Sequence, residues 1–256
     1  MRNLYTIFIL AKLNASEWMR LKFFHIVIFF AFLFLGFSHL LSALTFSVQE
    51  RLLYDFGLAS LEIGLVMIGS LIGSHSIQRD IDRKTLFVLL SRPIPRSSVV
   101  LGAWLSILLL SLLFSAGFLA SLIVTGEGNV SIKGLLIAAY SSFLKAMIVT
   151  SFSIACGLLV RPLLALVATI SYWILCYSVL DIEFFVSKLP NSPLVGIIGV
   201  FKKILPEFYS YNWKSHFFIA NIPSGSDILW ASLHSFAWIS LWLFLATMFF
   251  RKKEIV

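Results

Sequence analysis

Apolar runs of membrane-spanning length dominate this sequence. A helix needs about 20 mostly apolar residues to cross the hydrocarbon core, and only helices or closed barrels satisfy their backbone hydrogen bonds there. The runs are continuous rather than alternating, which favours helices over a barrel. They cover residues 23–47, 57–77, 99–124, 132–160, 162–180 and 228–250. With 59% hydrophobic and 12% charged residues, the chain is predicted to be an all-α integral membrane protein with six transmembrane helices.

The basic residues are distributed unevenly between the two predicted faces. Six spans place both termini on one side, and the side richer in Lys and Arg is cytoplasmic. The termini, the connection 78–98 and the turn at Arg161 carry most of these charges, whereas four of the six on the opposite face lie in the long connection 181–227. We therefore predict a multi-pass protein of the inner (plasma) membrane with cytoplasmic termini. The net charge of +8 follows from this arrangement without a nucleic-acid partner.

The opening segment, residues 1–22, has apolar residues at helical spacing with charges between them. This pattern predicts an amphipathic helix lying in the membrane interface. The alternative is a cleaved secretory signal, but Lys12 interrupts its apolar core. The apolar residues of the predicted interfacial helix are Leu4, Ile7, Phe8, Ala11, Ala15, Trp18 and Met19.

The connection 78–98 breaks the apolar pattern with charges that a bilayer interior would not accept. Mixed charges from Arg79 to Lys84 suit a helix end that protrudes into water. An apolar cluster too short to span follows, and Pro93 and Pro95 then end the helix. We predict a short amphipathic helix on the cytoplasmic face. A plain solvated connection, with its leucines resting on lipid headgroups, is the alternative.

The segment beginning at Arg79 resembles the signature of type-2 ABC exporter permeases over the string RDIDRKTLFVLLSRPIPRSSVVLGAW. Residues 50–57 and 205–212 are similar to segments of the branch that includes the nitrous-oxide-reductase maturation permease. The resemblance covers 1–256 as a single permease domain. Asp80 and Asp82 stand where that family usually has glutamates, which affects the choice of partner more than the role of the segment.

The resemblance implies a coupling role for 78–98. In that family this segment sits on a separate cytoplasmic ABC ATPase, the subunit that binds ATP and Mg²⁺. The apolar cluster would enter a groove on the ATPase, and the charges would orient it. The implied coupling residues are Arg79, Asp80, Asp82, Arg83, Thr85, Leu86, Phe87, Leu89, Leu90, Ser91, Arg92, Pro93 and Arg96.

The resemblance also implies the partners and the function. Two ATPase copies would work with two permease copies, either a homodimer or a pair with a close paralogue, in contact with membrane lipid. The chain would be the permease subunit of an exporter, coupling ATP hydrolysis to substrate translocation. The alternative is an ATPase-driven mechanical relay that passes force to a periplasmic or outer partner without moving a solute.

Motifs that would give this chain its own chemistry are missing from the sequence. It contains no G-x-x-x-x-G-K-[ST] and no H-x-x-x-H or H-E-x-x-H pair. We therefore expect a non-catalytic subunit that binds no cofactor or metal itself. Gly69 and Gly73 instead predict a close helix contact, which Gly64 and Ser76 would extend.

Two intramembrane charges are the remaining candidates. Lys145 lies about 13 residues into the fourth span, roughly 20 Å from its outer end, and a cation there requires a polar partner. Glu62 is the predicted partner, and Asp181 is a second choice. The pair would form a polar contact in the pathway or a brace between helices; the alternative is a lysine that snorkels to the interface.

In the connection 181–227, we expect short re-entrant or interfacial helices.

Overall fold

The computed structural model describes residues 2–44, 49–82, 84, 95–125, 131–188, 199, 205–214 and 223–252. Within these ranges the chain folds into seven α-helices and one short 3-10 helix, Phe208–Tyr211. The α-helices are α1 Arg2–Met19, α2 Lys22–Leu44, α3 Gln49–Asp82, α4 Arg96–Thr125, α5 Ile132–Leu159, α6 Pro162–Ser187 and α7 Gly225–Lys252.

Five of these helices are long and apolar enough to cross a membrane: α3 to α7. They correspond to five of the six predicted spans and confirm an all-helical membrane architecture among the described residues. The remaining predicted span, 23–47, overlaps α2, a helix of 23 residues. Membrane crossing by this helix stays a prediction.

Two helices extend well beyond their predicted ends. Helix α3 begins at Gln49 rather than at 57, and α6 continues to Ser187 rather than ending at 180. Hydropathy detects the part of a helix that lies in lipid, whereas the helix itself continues into water. The first turns of α3 carry an i,i+4 ion pair between Arg51 and Asp55 at 3.7 Å, which stabilises helix outside the apolar region.

Helices α3 and α5 run parallel through the centre of the bundle in close contact. A Cβ placed on Gly157 would lie 2.6 Å from the carbonyl oxygen of Ser74, and one on Gly73 would lie 2.8 Å from the Cβ of Ser153. Ser153 Oγ donates to the carbonyl of Ser70 at 3.0 Å. The two backbones therefore meet where only small side chains fit.

The predicted close contact of Gly69 and Gly73 is thus confirmed, since Gly69 also lies against α5, at Thr150. The predicted extension through Gly64 is wrong. A Cβ on Gly64 would meet the ring of Phe114 on α4 at 2.6 Å, so this glycine accommodates a different neighbour. The spacing of small residues predicts close approach, but not which helix approaches.

The outer helices pack around this pair. Helix α6 contacts α5 through a stack of Tyr172 on Phe152, with ring centroids 4.0 Å apart, and Trp242 of α7 packs edge-on to Phe152 at 4.7 Å. Helix α2 lies along α3, and α1 lies along α4.

Helix α1, the predicted interfacial helix, packs against the rest of the bundle. It buries Leu10, Ala11, Ala15 and Trp18 against the bundle, whereas Phe8 and Met19, which the sequence placed on the apolar face, are exposed. Only part of the predicted apolar face of α1 therefore packs on protein.

The contacts place several chain segments at one end of the bundle, which we call the basic end. It holds the ends of α1, α3, α5 and α7 and the starts of α4 and α6. Helix α3 ends there as Lys84 takes a left-handed φ of 57°. The basic residues described at this end include Arg20, Lys22, Arg79, Lys84, Arg96, Arg161, Arg251 and Lys252. The predicted coupling helix falls in the connection between α3 and α4, and residues 83 and 85–94 of that connection are outside the described residues. The apolar run of the predicted re-entrant segment, 194–205, also lies largely outside them.

Candidate functional site

Glu62 is the centre of a buried polar cluster in the half of the bundle away from the basic end. Its side chain, on α3, is 2% exposed, and that of Lys145, on α5, is 0% exposed. Lys145 Nζ lies 2.8 Å from Glu62 Oε2. Because α3 and α5 are parallel and in close contact, residues at similar depth face one another. Both charges therefore have their counterion without reaching water.

Three further groups donate to the same carboxylate. Ser142, one turn before Lys145 on α5, donates from Oγ to Oε2 at 3.2 Å. Tyr177 of α6 donates its hydroxyl hydrogen to Oε1 and accepts a hydrogen bond from Lys145. Lys214, from the segment after the 3-10 helix, pairs with Oε2. The carboxylate thus joins α3, α5, α6 and the segment 205–214.

The charges in this cluster do not cancel. Glu62 supplies one negative charge, whereas Lys145 and Lys214 supply two positive charges. A charge inside a membrane-spanning bundle is costly unless protein, water or an opposite charge faces it. Lys145 is enclosed, but Lys214 is 16% exposed, so the surplus charge sits at the edge of the cluster.

A cavity of about 510 Å³ opens beside Lys214. Its lining comes from α3, α6 and the segment 212–214, and polar and apolar side chains share it. The lining residues are Arg51, Asp55, Ala59, Glu62, Ile63, Trp173, Ile174, Tyr177, Ser178, Asn212 and Lys214. The buried cluster therefore has one wall in contact with open space.

The segment that carries Lys214 is itself fixed to α7. Tyr211, at the end of the 3-10 helix, is 2% exposed and hydrogen-bonds His234 Nδ1. Trp238 Nε1 donates to His234 Nε2 at 2.9 Å. Because an indole N–H can only donate, Nε2 is unprotonated and Nδ1–H donates to the tyrosine oxygen. Burial raises the pKa of Tyr211 to about 12, so the phenol stays neutral in this contact.

Of the two carboxylates that the sequence suggests as partners of Lys145, the structure places one in contact with it. Glu62 contacts Lys145, as its depth predicts, whereas Asp181 is exposed near the end of α6. Sequence reasoning missed Ser142, Tyr177 and Lys214. A signal existed for Tyr177, because a hydroxyl-bearing aromatic within an apolar span usually finds a polar partner. No periodicity links Lys214 to Glu62, since an irregular connection separates it from every span.

At the basic end, Arg79 is engaged within the chain. Its guanidinium pairs with Glu17 at the end of α1 and lies 4.5 Å from the ring of Trp18. Nearby, Gln78 Nε2 donates to Asp82 Oδ1 at 3.1 Å. Arg79 thus fastens the end of α3 to the end of α1.

Arg96 makes an equivalent connection on the other side of the predicted coupling segment. Its Nη1 donates to the carbonyl of Phe250 at 2.8 Å and to that of Arg251 at 3.3 Å. These carbonyls belong to the last described turn of α7. Arg96 therefore joins this turn of α7 to the start of α4.

The other predicted coupling residues are placed as follows. Asp80 is half-buried and Asp82 is exposed at the end of α3. Arg83, Thr85, Leu86, Phe87, Leu89, Leu90, Ser91, Arg92 and Pro93 lie outside the described residues. The coupling role of the whole set stays a prediction.

The comparisons agree with this architecture at the level of the family. A family model described as ABC-2 family transporter protein matches residues 60–255, a range that contains segment 78–98 and α4 to α7. The chain belongs to this family and is a membrane subunit of an ABC transporter. Subunits of this kind generally work with an ATP-binding subunit. No curated protein matches the chain, and its similarity to the nitrous-oxide-reductase maturation branch stays a prediction.

Proposed function

We propose that this chain is the permease subunit of an ABC exporter in the inner membrane, with both termini cytoplasmic. A separate cytoplasmic ATPase, present in two copies, acts on segment 78–98, and a second permease copy completes the pathway. The ATPase binds ATP and Mg²⁺. The family match supports the transporter class, and the concentration of basic residues at one end supports the orientation.

The observation that carries this proposal is the pair of arginine anchors that flank the coupling segment. Arg79, before it, ties α3 to α1 through Glu17 and Trp18. Arg96, after it, ties α4 to the last turn of α7. A force applied to the segment between them would reach four helices directly. This is the connection expected of an element that converts movement of a partner into movement of the bundle.

The Glu62 cluster acts in this proposal as a brace. It links α3, α5 and α6 far from the basic end through Lys145 and Tyr177. Because both charges of the 2.8 Å pair are enclosed, separating these helices would expose uncompensated charges. The brace keeps them together while the basic end moves, and the more exposed Lys214 provides the contact that opens most readily.

The experiment is recovery of the ATPase with tagged chain from native membranes in mild detergent. Mass spectrometry would quantify a co-purifying protein that carries a nucleotide-binding P-loop. Helical spacing places Leu86 on the predicted apolar face of the coupling segment and Val88 on the opposite side. Leu86→Ser is expected to lower ATPase recovery at least about tenfold, since each fully buried leucine contributes about 1.5–3 kcal/mol. Val88→Ser is the matched control.

Equal loss with both variants would point to general damage of the segment. If the wild-type chain is recovered correctly folded but without an ATPase, the proposal is contradicted.

A further inference from the structure

The cavity beside Lys214 has the form of a ligand site. Its volume of about 510 Å³ falls within the roughly 300–1,000 Å³ of typical small-molecule sites. Lys214, Glu62 and Tyr177 contribute its polar wall, and Ile63, Ile174 and Trp173 contribute apolar surface. The two kinds of surface suit a molecule that has a polar head and an apolar body.

The polar wall favours an anion. Glu62 is paired with two lysines, the enclosed Lys145 and the more exposed Lys214, so the three charges leave one positive charge in excess. An ammonium group has three donors, and a contact with one carboxylate oxygen leaves donors for a ligand. The other charged lining residues, Arg51 and Asp55, form a pair with each other at 3.7 Å and are half-exposed. Asp55 also interacts electrostatically with Lys214, but together with Arg51 it adds no net charge to the cavity.

The apolar wall continues onto the outside of the bundle. Ile63 of α3 is 39% exposed and Ile174 of α6 is 51% exposed, and both helices are long and apolar enough to span a membrane. The cavity therefore borders the surface that meets lipid chains. A ligand could place its head against Lys214 while its chain lies along α3 and α6.

We propose that this cavity binds the phosphate or carboxylate head of an amphipathic anion, with Lys214 as the anion-binding residue. The ligand's role as transported cargo rests on the proposed function. Binding itself requires neither nucleotide nor the ATPase. A failure of binding is therefore distinguishable from a failure of the proposed function, which ATPase recovery tests.

Trp173 provides the readout because it lines the cavity. The full chain, purified in detergent, would be titrated with phosphatidylglycerol that carries brominated acyl chains, and fluorescence quenching would be recorded. Brominated phosphatidylcholine has a zwitterionic head and serves as the comparison lipid. Subtracting the signal of Trp173→Phe isolates the contribution of Trp173 from that of the other six tryptophans.

We expect phosphatidylglycerol to quench Trp173 at lower concentration than phosphatidylcholine. Lys214→Gln is expected to raise the half-quenching concentration at least about tenfold, through loss of a charge-assisted contact. Lys214→Arg retains the charge and is expected to stay within about threefold of the wild type. Lys188→Gln removes an exposed lysine from the end of α6, outside the cavity lining, and is the matched control.

Three results would overturn the proposal. Equal quenching by the two lipids would show only general contact with the lipid surrounding the protein. Unchanged selectivity in Lys214→Gln, with the fold intact by circular dichroism, would remove Lys214 from the site. The third result is that phosphatidylglycerol shows no selective quenching, whereas inorganic phosphate protects Lys214 from amine-reactive modification. That result would indicate that the site binds a soluble anion instead.

Discussion

Glu62 and Lys145 form a 2.8 Å ion pair between two parallel helices, with the side chains 2% and 0% exposed. Both lie near the middle of helices that span a membrane by length and composition. An isolated charge at that position would be strongly unfavourable, so each residue makes the other tolerable. The partners of this pair are unequal, because Glu62 also pairs with Lys214.

The first prediction concerns this inequality. Glu62→Gln removes the carboxylate that pairs with both Lys145 and Lys214 and is expected to lower stability by about 3–5 kcal/mol, the usual effect of breaking a buried ion pair. Lys145→Met leaves Glu62 paired with Lys214 and is expected to lower it by less. Reversible unfolding of the purified chain in mixed micelles would give both values.

Lys133→Met is the control. Lys133 is exposed at the start of α5, the helix that carries Lys145, and its replacement is expected to have little effect on stability. The double variant Glu62→Gln/Lys145→Met should be more stable than Glu62→Gln alone, because removing Lys145 removes one unpaired cation. Equal losses for the two single variants would argue against the cluster of two lysines on one carboxylate.

The second prediction concerns the contact between α3 and α5. Gly157→Ala places a Cβ 2.6 Å from the carbonyl oxygen of Ser74. Since that neighbour is backbone, the helices must separate, and we expect a loss of about 1–3 kcal/mol, as for other overpacked sites. Thermal unfolding of the chain in detergent would measure it.

Gly117→Ala is the matched control. Gly117 lies in α4, and an added Cβ would meet no described atom within 4 Å. Alanine also favours helix over glycine by up to about 1 kcal/mol, so this variant is expected to unfold at the same or a higher temperature. A Gly157→Ala protein as stable as Gly117→Ala would show that the two helices do not depend on this contact.

The third prediction concerns the contact of Arg96 with the last described turn of α7. Arg96→Met removes the charged donor from the carbonyls of Phe250 and Arg251, a contact expected to contribute about 1.5–3 kcal/mol locally. Backbone amides in the last turn of α7 should then exchange hydrogen for deuterium roughly tenfold faster or more, as observed by mass spectrometry.

Arg161→Met, which changes an exposed arginine at the same end, serves as the comparison. It should leave the exchange of α7 as it is in the wild type. Slow exchange at the end of α7 in Arg96→Met would show that the helix is held by other contacts.

The depth of charges along the spans was predictable, but their lateral surroundings were not. Lys145 and Glu62 could be matched because helical rise converts residue number into depth. Tyr177 and Lys214 reach the same carboxylate from α6 and from an irregular segment. Their approach depends on how helices pack around α3, which the hydrophobic pattern does not encode.

The same limit applies at the basic end. The charges of Arg79 and Arg96 predict exposure to water, and the family resemblance implies contacts with a partner protein. In the structure they engage Glu17 and the end of α7, contacts between residues 62 and 154 positions apart in sequence. The start of α3 was missed for another reason: Arg51 and Asp55 stabilise helix in water, where hydropathy gives no signal.

The most direct test of the central claim is the side of the membrane on which position 87 lies. Phe87→Cys and, as the opposite-end control, Lys188→Cys would be made in a chain lacking Cys156 and Cys176 and treated with a membrane-impermeant maleimide. The account predicts that intact cells label position 188 only, and that position 87 is labelled after the membrane is opened. Labelling of position 87 in intact cells would place the coupling segment away from the ATPase and contradict the account.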